Sequence, residues 1–147
     1  MNTRKAFLLV MALTASFLVQ GALGAGDKKA KEPEKKKLKP FEPIIVNGEL
    51  INADLKDKVI AQSFCKTFTF KMEKGRAYQI EMSSQAFRSY LRLENAAGQQ
   101  IAAAADQGNQ RATINYDPAK TEDYQIIATT LNGGATGKFT LVVKDAT

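Results

Sequence analysis

Apolar and polar residues alternate one by one along several short stretches of this chain. Residues 78–83 have the sequence Tyr-Gln-Ile-Glu-Met-Ser, and residues 91–94 have the sequence Leu-Arg-Leu-Glu. A period of two residues places the apolar side chains on one face of a β-strand and the polar side chains on the other. The chain is therefore predicted to form sheets that cover a core with one face and contact water with the other.

The same alternation predicts about eight short strands separated by turns at regular spacing, and no stretch has a helical period. Residues 99–105 contain four consecutive alanines. Four residues are too few to hold a helix without support, so a strand with small side chains is predicted there. The expected fold is an all-β, antiparallel β-sandwich that is jelly-roll-like.

Two local pairings are predicted within this sandwich. Residues 64–72 and 78–83 flank Lys74-Gly75 and are expected to pair as a hairpin. Asn47-Gly48 interrupts the apolar residues of 44–51 and is expected to form a turn or bulge.

The first 24 residues have the three-part pattern of a secretory signal peptide. Arg4 and Lys5 precede a mostly apolar run over residues 6–19, and small residues follow, with cleavage predicted before Ala25. A membrane span needs about 20 apolar residues, and this run is shorter. We therefore expect no transmembrane segment after cleavage, and a mature protein that is secreted or lies in the periplasm or cell envelope.

Residues 25–43 are predicted to form a disordered, Lys/Pro-rich tether. They contain seven Lys, four acidic residues and three Pro, with little to bury. Two roles fit this composition, a solvated spacer or an electrostatic contact with an anionic surface. The folded domain is expected over residues 44–147, where 12 basic residues face 11 acidic ones. Because the domain is nearly neutral, no nucleic-acid partner is predicted.

The chain has few of the residue types that commonly act in enzyme active sites. The chain has no His, which excludes Ser-His-Asp and Cys-His arrangements and imidazole metal ligands. Asp54 and Asp57 share one polar stretch, and Glu122 and Asp123 share another, where solvated turn residues are expected. Cys65 is the one cysteine, so it is either a small buried residue or a thiol that pairs between chains. No catalytic residue is predicted.

Four residues in predicted strands or beside them are candidates for specific contacts. Tyr124 follows a turn and leads a strand, like the corner tyrosine of β-sandwiches, whose hydroxyl holds the adjacent loop. In another predicted strand, Arg88, Tyr90 and Arg92 lie on the face opposite Leu91 and Leu93. Because Tyr and Arg are enriched where proteins bind partners, this face is a candidate binding surface. The alternative is that Tyr90 packs under a loop.

Several motifs follow one another in order over about residues 48–143. They are Gly48-Glu49-Leu50 with Asp54, Phe68-Thr69-Phe70, Lys74-Gly75, Tyr78-Gln79-Ile80-Glu81-Met82, Phe87-Arg88-Ser89-Tyr90-Leu91-Arg92-Leu93 with Gly98, Asp106-Gln107-Gly108, Tyr124-Gln125-Ile126 and Gly137-Lys138-Phe139-Thr140-Leu141. In this order the chain resembles the bacterial pre-peptidase C-terminal domain family. The resemblance implies a small β-sandwich that accompanies secreted peptidases and other exported proteins and is not itself catalytic.

Some relatives in that family bind calcium through acidic loop residues, and this chain departs from their pattern. Arg88 stands where members usually carry an acidic residue, and three alanines precede Asp106 where an acidic run is frequent. Calcium takes six to eight oxygen ligands, and Asp106 with Asn109 supplies few of them. The sequence gives little support for calcium, and no other cofactor is predicted.

These observations predict an exported, non-catalytic module that binds a protein or a glycan at the cell envelope or outside the cell. The partner would be an exported protein or a polysaccharide. The alternative is an accessory module that stabilises a separate secreted hydrolase.

Overall fold

Nine strands, each antiparallel to its neighbours, form two sheets in the computed structural model, which describes residues 38–146. The strands are β1 (Ile44–Leu50), β2 (Leu55–Lys56), β3 (Phe64–Met72), β4 (Tyr78–Ser83), β5 (Ser89–Glu94), β6 (Gln100–Ala105), β7 (Arg111–Tyr116), β8 (Glu122–Thr130) and β9 (Gly137–Asp145). The predicted signal peptide, and the predicted tether as far as residue 37, lie outside the described residues. Within residues 38–146, no helix is long and apolar enough to cross a membrane.

The two sheets have the strand order of a jelly roll. One sheet has the order β1-β9-β4-β7, and the other has the order β2-β3-β8-β5-β6. The chain changes sheet at every connection except β2–β3 and β5–β6. The predicted all-β sandwich with a jelly-roll arrangement is therefore confirmed. Its eight predicted strands are present, and the two-residue β2 is an unpredicted addition at a sheet edge.

The core lies between the sheets and is built from the apolar residues that the alternation identified. Ile80 and Met82 of β4 face Leu91 and Leu93 of β5, and all four side chains are fully buried. Phe87 enters the same core from the connection between these strands. Burying one such side chain contributes about 1.5–3 kcal/mol, so this cluster is the main source of stability.

The predicted hairpin of β3 and β4 is wrong. The two strands lie in different sheets, where β3 pairs with β2 and β8 while β4 pairs with β7 and β9. Phe70 and Tyr78 meet across the core instead, with ring centroids 6.0 Å apart. A short connection with a glycine suits either a hairpin or a crossing between sheets, so the local sequence could not decide between them.

The predicted turn or bulge at Asn47-Gly48 is also absent, because β1 passes through both residues without a break in its register against β9. Gly48 lies opposite Phe139, and a Cβ atom at Gly48 would be 2.4 Å from Cζ of that ring. The glycine therefore makes room for a buried aromatic side chain within a continuous strand.

The folded part of the chain begins before residue 44. Phe41 packs edge-on against Tyr78 and Phe70, with ring centroids 5.5 and 6.0 Å away. The Arg76 guanidinium lies over the Phe41 ring and donates a hydrogen bond to the main-chain oxygen of Lys39. The predicted tether therefore cannot extend to residue 43, because these aromatic contacts attach its last residues to the sandwich.

Candidate functional site

Arg92, predicted to lie on an exposed surface, is buried against the outer face of the five-stranded sheet. Its side chain is 2% exposed, and its Nη2 lies 2.6 Å from Oδ2 of Asp57. Nη1 of Arg92 lies 2.5 Å from Oε1 of Glu94. The predicted exposure is wrong because residues 57–63, which connect β2 and β3, cross this face and supply Asp57. We call this connection the strap.

The carboxyl groups that contact Arg92 have lowered pKa values, which favour their ionised forms. Burial raises the pKa of Asp57, but hydrogen bonds from the Ile60 N–H and the Arg92 guanidinium outweigh it and hold that pKa below its usual range. Burial likewise raises the pKa of Glu94, and hydrogen bonds from Lys58 and Arg92 lower it further than burial raises it. The expectation that Asp57 is solvated is therefore wrong. Neither carboxyl group is poised to exchange a proton near neutral pH.

Cys65 lies half-buried on β3, in register with Thr129 of β8. Burial raises the pKa of its thiol, and the negative charge of Asp57 raises it further. A thiol with a raised pKa is mostly protonated at neutral pH and is a weak nucleophile. The surroundings of Cys65 therefore do not activate it for catalysis.

The other two predicted surface residues are separated from Arg92. Tyr90 is half-buried on β5, between Thr129 and Ala105 of the neighbouring strands. Arg88 is exposed just before β5, and its Nη2 donates to the main-chain oxygen of Asp106 over 3.0 Å. The three residues do not form one continuous surface. A binding role for Arg88 and Tyr90 remains a prediction.

Three connections lie side by side at the end of the sandwich that carries Arg88. They are the β4–β5, β6–β7 and β8–β9 connections, which include residues 84–88, 106–110 and 131–136. The strap also reaches this end, where the Gly134 N–H donates to the Gln62 main-chain oxygen over 2.8 Å. Because neighbouring strands are antiparallel, the connections that follow β4, β6 and β8 leave the sheets on the same side. We call this region the three-loop end.

Hydrogen bonds join these three connections to one another. The Ser84 N–H donates to the Gln110 main-chain oxygen over 3.2 Å, and the Leu131 N–H donates to the Arg88 main-chain oxygen over 3.0 Å. Oγ of Ser84 also donates to the main-chain oxygen of Lys138 over 2.8 Å. Each loop thus positions its neighbours, which gives the three-loop end a defined shape.

A shallow cleft crosses the three-loop end. It consists of two adjoining depressions that share Ser84 and Gln85. The lining includes six exposed side chains with an amide or a positive charge. Asn47 is one of them, and its Oδ1 accepts a hydrogen bond from Thr140 Oγ1 over 3.0 Å. The other five, which we call the cleft residues, are Gln85, Arg88, Gln110, Asn132 and Lys138. Two cations and three amides make this cleft suitable for a polar ligand.

Asp106 lines the cleft, and its carboxylate accepts hydrogen bonds from its own loop. Its side chain is buried, and Oδ1 accepts a hydrogen bond from the Gly108 N–H over 2.7 Å. Burial raises the pKa of Asp106, but hydrogen bonds from backbone N–H groups, first that of Gly108, lower it below its usual range. The carboxylate is thus directed at the loop backbone. Within residues 38–146, no group of three or more Cys, Asp or Glu residues is arranged to hold a metal ion.

Of the cleft residues, the sequence pattern predicted only Arg88 as a binding residue and did not predict Gln85, Gln110, Asn132 or Lys138. These four residues lie in three segments of the chain that are distant in sequence. The signal that could have found them is the predicted fold itself, since an antiparallel sandwich with alternating strand direction places every second connection at one end.

The comparison with solved structures agrees with this fold. The two sequence comparisons found no match, since no protein-family model matches the sequence and no curated protein matches it. The crystal structure of the pre-peptidase C-terminal domain of a collagenase from Bacillus anthracis is similar, with a TM-score of 0.54 and 16% sequence identity over 74% of this chain and 100% of that chain. At this identity the similarity establishes the fold alone, which is like that of a pre-peptidase C-terminal domain.

Proposed function

We propose that this protein is an exported, non-catalytic module that binds a protein or a glycan at the cell envelope or outside the cell, and that the cleft is its binding site. The observation that carries the proposal is the gathering of the cleft residues on three loops that hydrogen-bond to one another. Loops held by a rigid sandwich are a frequent location for binding residues.

Two further observations support a non-catalytic role. The chain has no His. The buried carboxyl groups of Asp57 and Glu94 are paired with Arg92, and the Cys65 thiol has a raised pKa. The two carboxyl groups therefore stabilise the fold, and neither they nor the Cys65 thiol is arranged as an acid, base or nucleophile.

A second candidate function comes from the similar crystal structure, which is a domain of a collagenase. In this second function, a module of the same fold stabilises a separate secreted hydrolase. Protection of a co-secreted hydrolase against thermal inactivation, with no ligand retained by the cleft, would favour this accessory function.

The binding function is tested by capture of envelope material from the source organism on the immobilised protein. The variant Gln85→Ala/Arg88→Ala is compared with Lys71→Ala/Lys74→Ala, whose exposed lysines lie towards the opposite end of the sandwich. We expect the first variant to lose the captured ligand and the second to retain it. Equal capture by both variants would place the binding site elsewhere.

A further inference from the structure

The two cations of the cleft form no ion pair within residues 38–146. Arg88 and Lys138 are both exposed, and Asp106, in the adjoining loop, directs its carboxylate to the loop backbone. Glu49 lies opposite Lys138 in the β1–β9 register, so the negative charges of Glu49 and Asp106 offset part of the positive charge. The exposed Arg88 guanidinium and Lys138 ammonium still have N–H donors that can contact an anionic group. The planar guanidinium of Arg88 also matches the geometry of a carboxylate or a sulfate.

The rest of the lining suits a ligand rich in hydroxyl groups. Gln85, Gln110 and Asn132 present exposed amides, each with donor and acceptor atoms. The aromatic residues of the lining, Phe87 and Phe139, are buried at 8% and 3% exposure. The surface that a ligand meets is thus polar, with hydrogen-bonding groups of both kinds.

Gln110 adopts a backbone conformation that its residue type disfavours. Its φ angle is 62°, in the left-handed region where Gly, Asn and Asp are the usual residues. Its main-chain oxygen accepts the Ser84 N–H, a contact that a glycine would make equally well. Gln62 of the strap has a similar φ angle of 69° and does not line the cleft, so this conformation is not confined to the cleft. The amide of Gln110 is relevant to binding because it is exposed in the lining.

From these features we propose that the cleft binds an acidic polysaccharide. One acidic group of the polymer contacts Arg88 in one depression and another contacts Lys138 in the adjoining depression, while sugar hydroxyl groups contact the amides of Gln85, Gln110 and Asn132. This inference rests on the proposed binding function and specifies its ligand. A peptide fits less well, because protein interfaces are centred on buried apolar anchors and the cleft exposes no large apolar side chain to receive them.

The test measures how tightly the purified protein binds polygalacturonate and dextran sulfate. The protein retains its lysine-rich segment before residue 38. Neutral dextran and poly-glutamate serve as comparison polymers. Arg88→Gln/Lys138→Gln should weaken binding to at least one acidic polysaccharide by about tenfold or more, a change expected when two direct charged contacts are lost. Lys71→Gln/Lys74→Gln removes the same charge away from the cleft and should leave the affinity within about twofold.

Gln110→Gly separates specific recognition from general attraction between charges. This variant keeps the net charge and relieves the backbone strain, and it should still weaken polysaccharide binding while leaving poly-glutamate binding unchanged. Melting temperatures within about 2 °C of the wild type would show that the variants are folded. Equal losses in the two charge variants, or an unchanged polysaccharide affinity in Gln110→Gly, would overturn the inference.

The two proposals fail in different ways. If no acidic polysaccharide binds but Gln85→Ala/Arg88→Ala still loses the captured envelope ligand, the ligand class is wrong and the binding function stands. If poly-glutamate binds more tightly than both acidic polysaccharides and depends on Arg88 and Lys138, the ligand is an acidic protein segment and the inference is again overturned. If the cleft variants change neither measurement, both proposals are rejected.

Discussion

Nη2 of Arg92 and Oδ2 of Asp57 form an ion pair of 2.6 Å in which the two side chains are 2% and 0% exposed. Arg92 belongs to β5 in the five-stranded sheet, whereas Asp57 belongs to the strap. The pair therefore fastens the strap to the outer face of the sheet. Asp57 is itself held by N–H groups of Val59 and Ile60, each 2.7 Å from its Oδ1, so the strap is shaped around this carboxylate.

Replacing Arg92 should destabilise the protein strongly. Arg92→Met leaves Asp57 and Glu94 buried without their guanidinium partner, and breaking a buried ion pair in this way costs about 3–5 kcal/mol. Urea denaturation measures this loss in the free energy of unfolding. Arg88→Met is the matched control, because Arg88 is exposed and its replacement should change that free energy by less than about 0.5 kcal/mol. Similar losses in the two variants would contradict the structural role of Arg92.

Acid should destabilise the protein through the same carboxylates. Asp57 and Glu94 have a lower pKa in the folded state than in the unfolded state, so the unfolded state binds more protons as the pH falls. Their contribution to stability is complete above the ordinary pKa of about 4 and is lost as the pH falls through the lower, folded-state values. Because the chain has no His, the free energy of unfolding should change little between about pH 5.5 and 8.

Urea denaturation from pH 2 to pH 8 measures this profile. In Arg92→Met the acid slope should become shallower, since Arg92 is one of the groups that lower the pKa of Asp57 and of Glu94. It should not vanish, because Asp54 and Asp106 also have lowered pKa values. An identical acid slope in the variant and the wild type would show that Arg92 does not set these pKa values.

The features that the sequence predicted correctly are those that depend on local residue patterns. The alternation identified the strands and their core faces, and the position of Tyr124 after a turn predicted its role at the corner. Its hydroxyl donates to the main-chain oxygen of Lys120 over 3.2 Å, which confirms that prediction. Such features could be predicted because they depend on residues within a few positions of each other.

Features that depend on distant segments could not be predicted in the same way. The polar face of β5 carries Arg92, and only the path of the strap shows that this face is covered. Gly48 has the sequence signal of a turn, but its role is set by Phe139, which lies 91 positions further on. The cleft residues likewise come together only when the strand order is known. Charge and amide content alone did not distinguish them from other surface residues.

The contacts of Phe41 predict that the residues before β1 contribute to stability. Phe41→Ala removes edge-on packing against Tyr78 and Phe70 and should lower the free energy of unfolding by about 1–3 kcal/mol. Glu42→Ala is the control, because Glu42 is exposed and should change that free energy little. Thermal and urea denaturation measure both variants. If Phe41→Ala is as stable as Glu42→Ala, the folded domain begins at residue 44.

The Cys65 thiol should react slowly in the folded protein. Burial raises its pKa and limits the approach of a reagent, and the charge of Asp57 raises the pKa further. Alkylation by iodoacetamide at pH 8, followed by mass spectrometry, should be at least about tenfold slower than in urea-unfolded protein. The alkylation rate of the folded protein should continue to rise with pH at values where the alkylation rate of the unfolded chain no longer increases. Equal rates in folded and unfolded protein, or a disulfide-linked dimer that forms in air, would instead support the role of Cys65 as a thiol that pairs between chains.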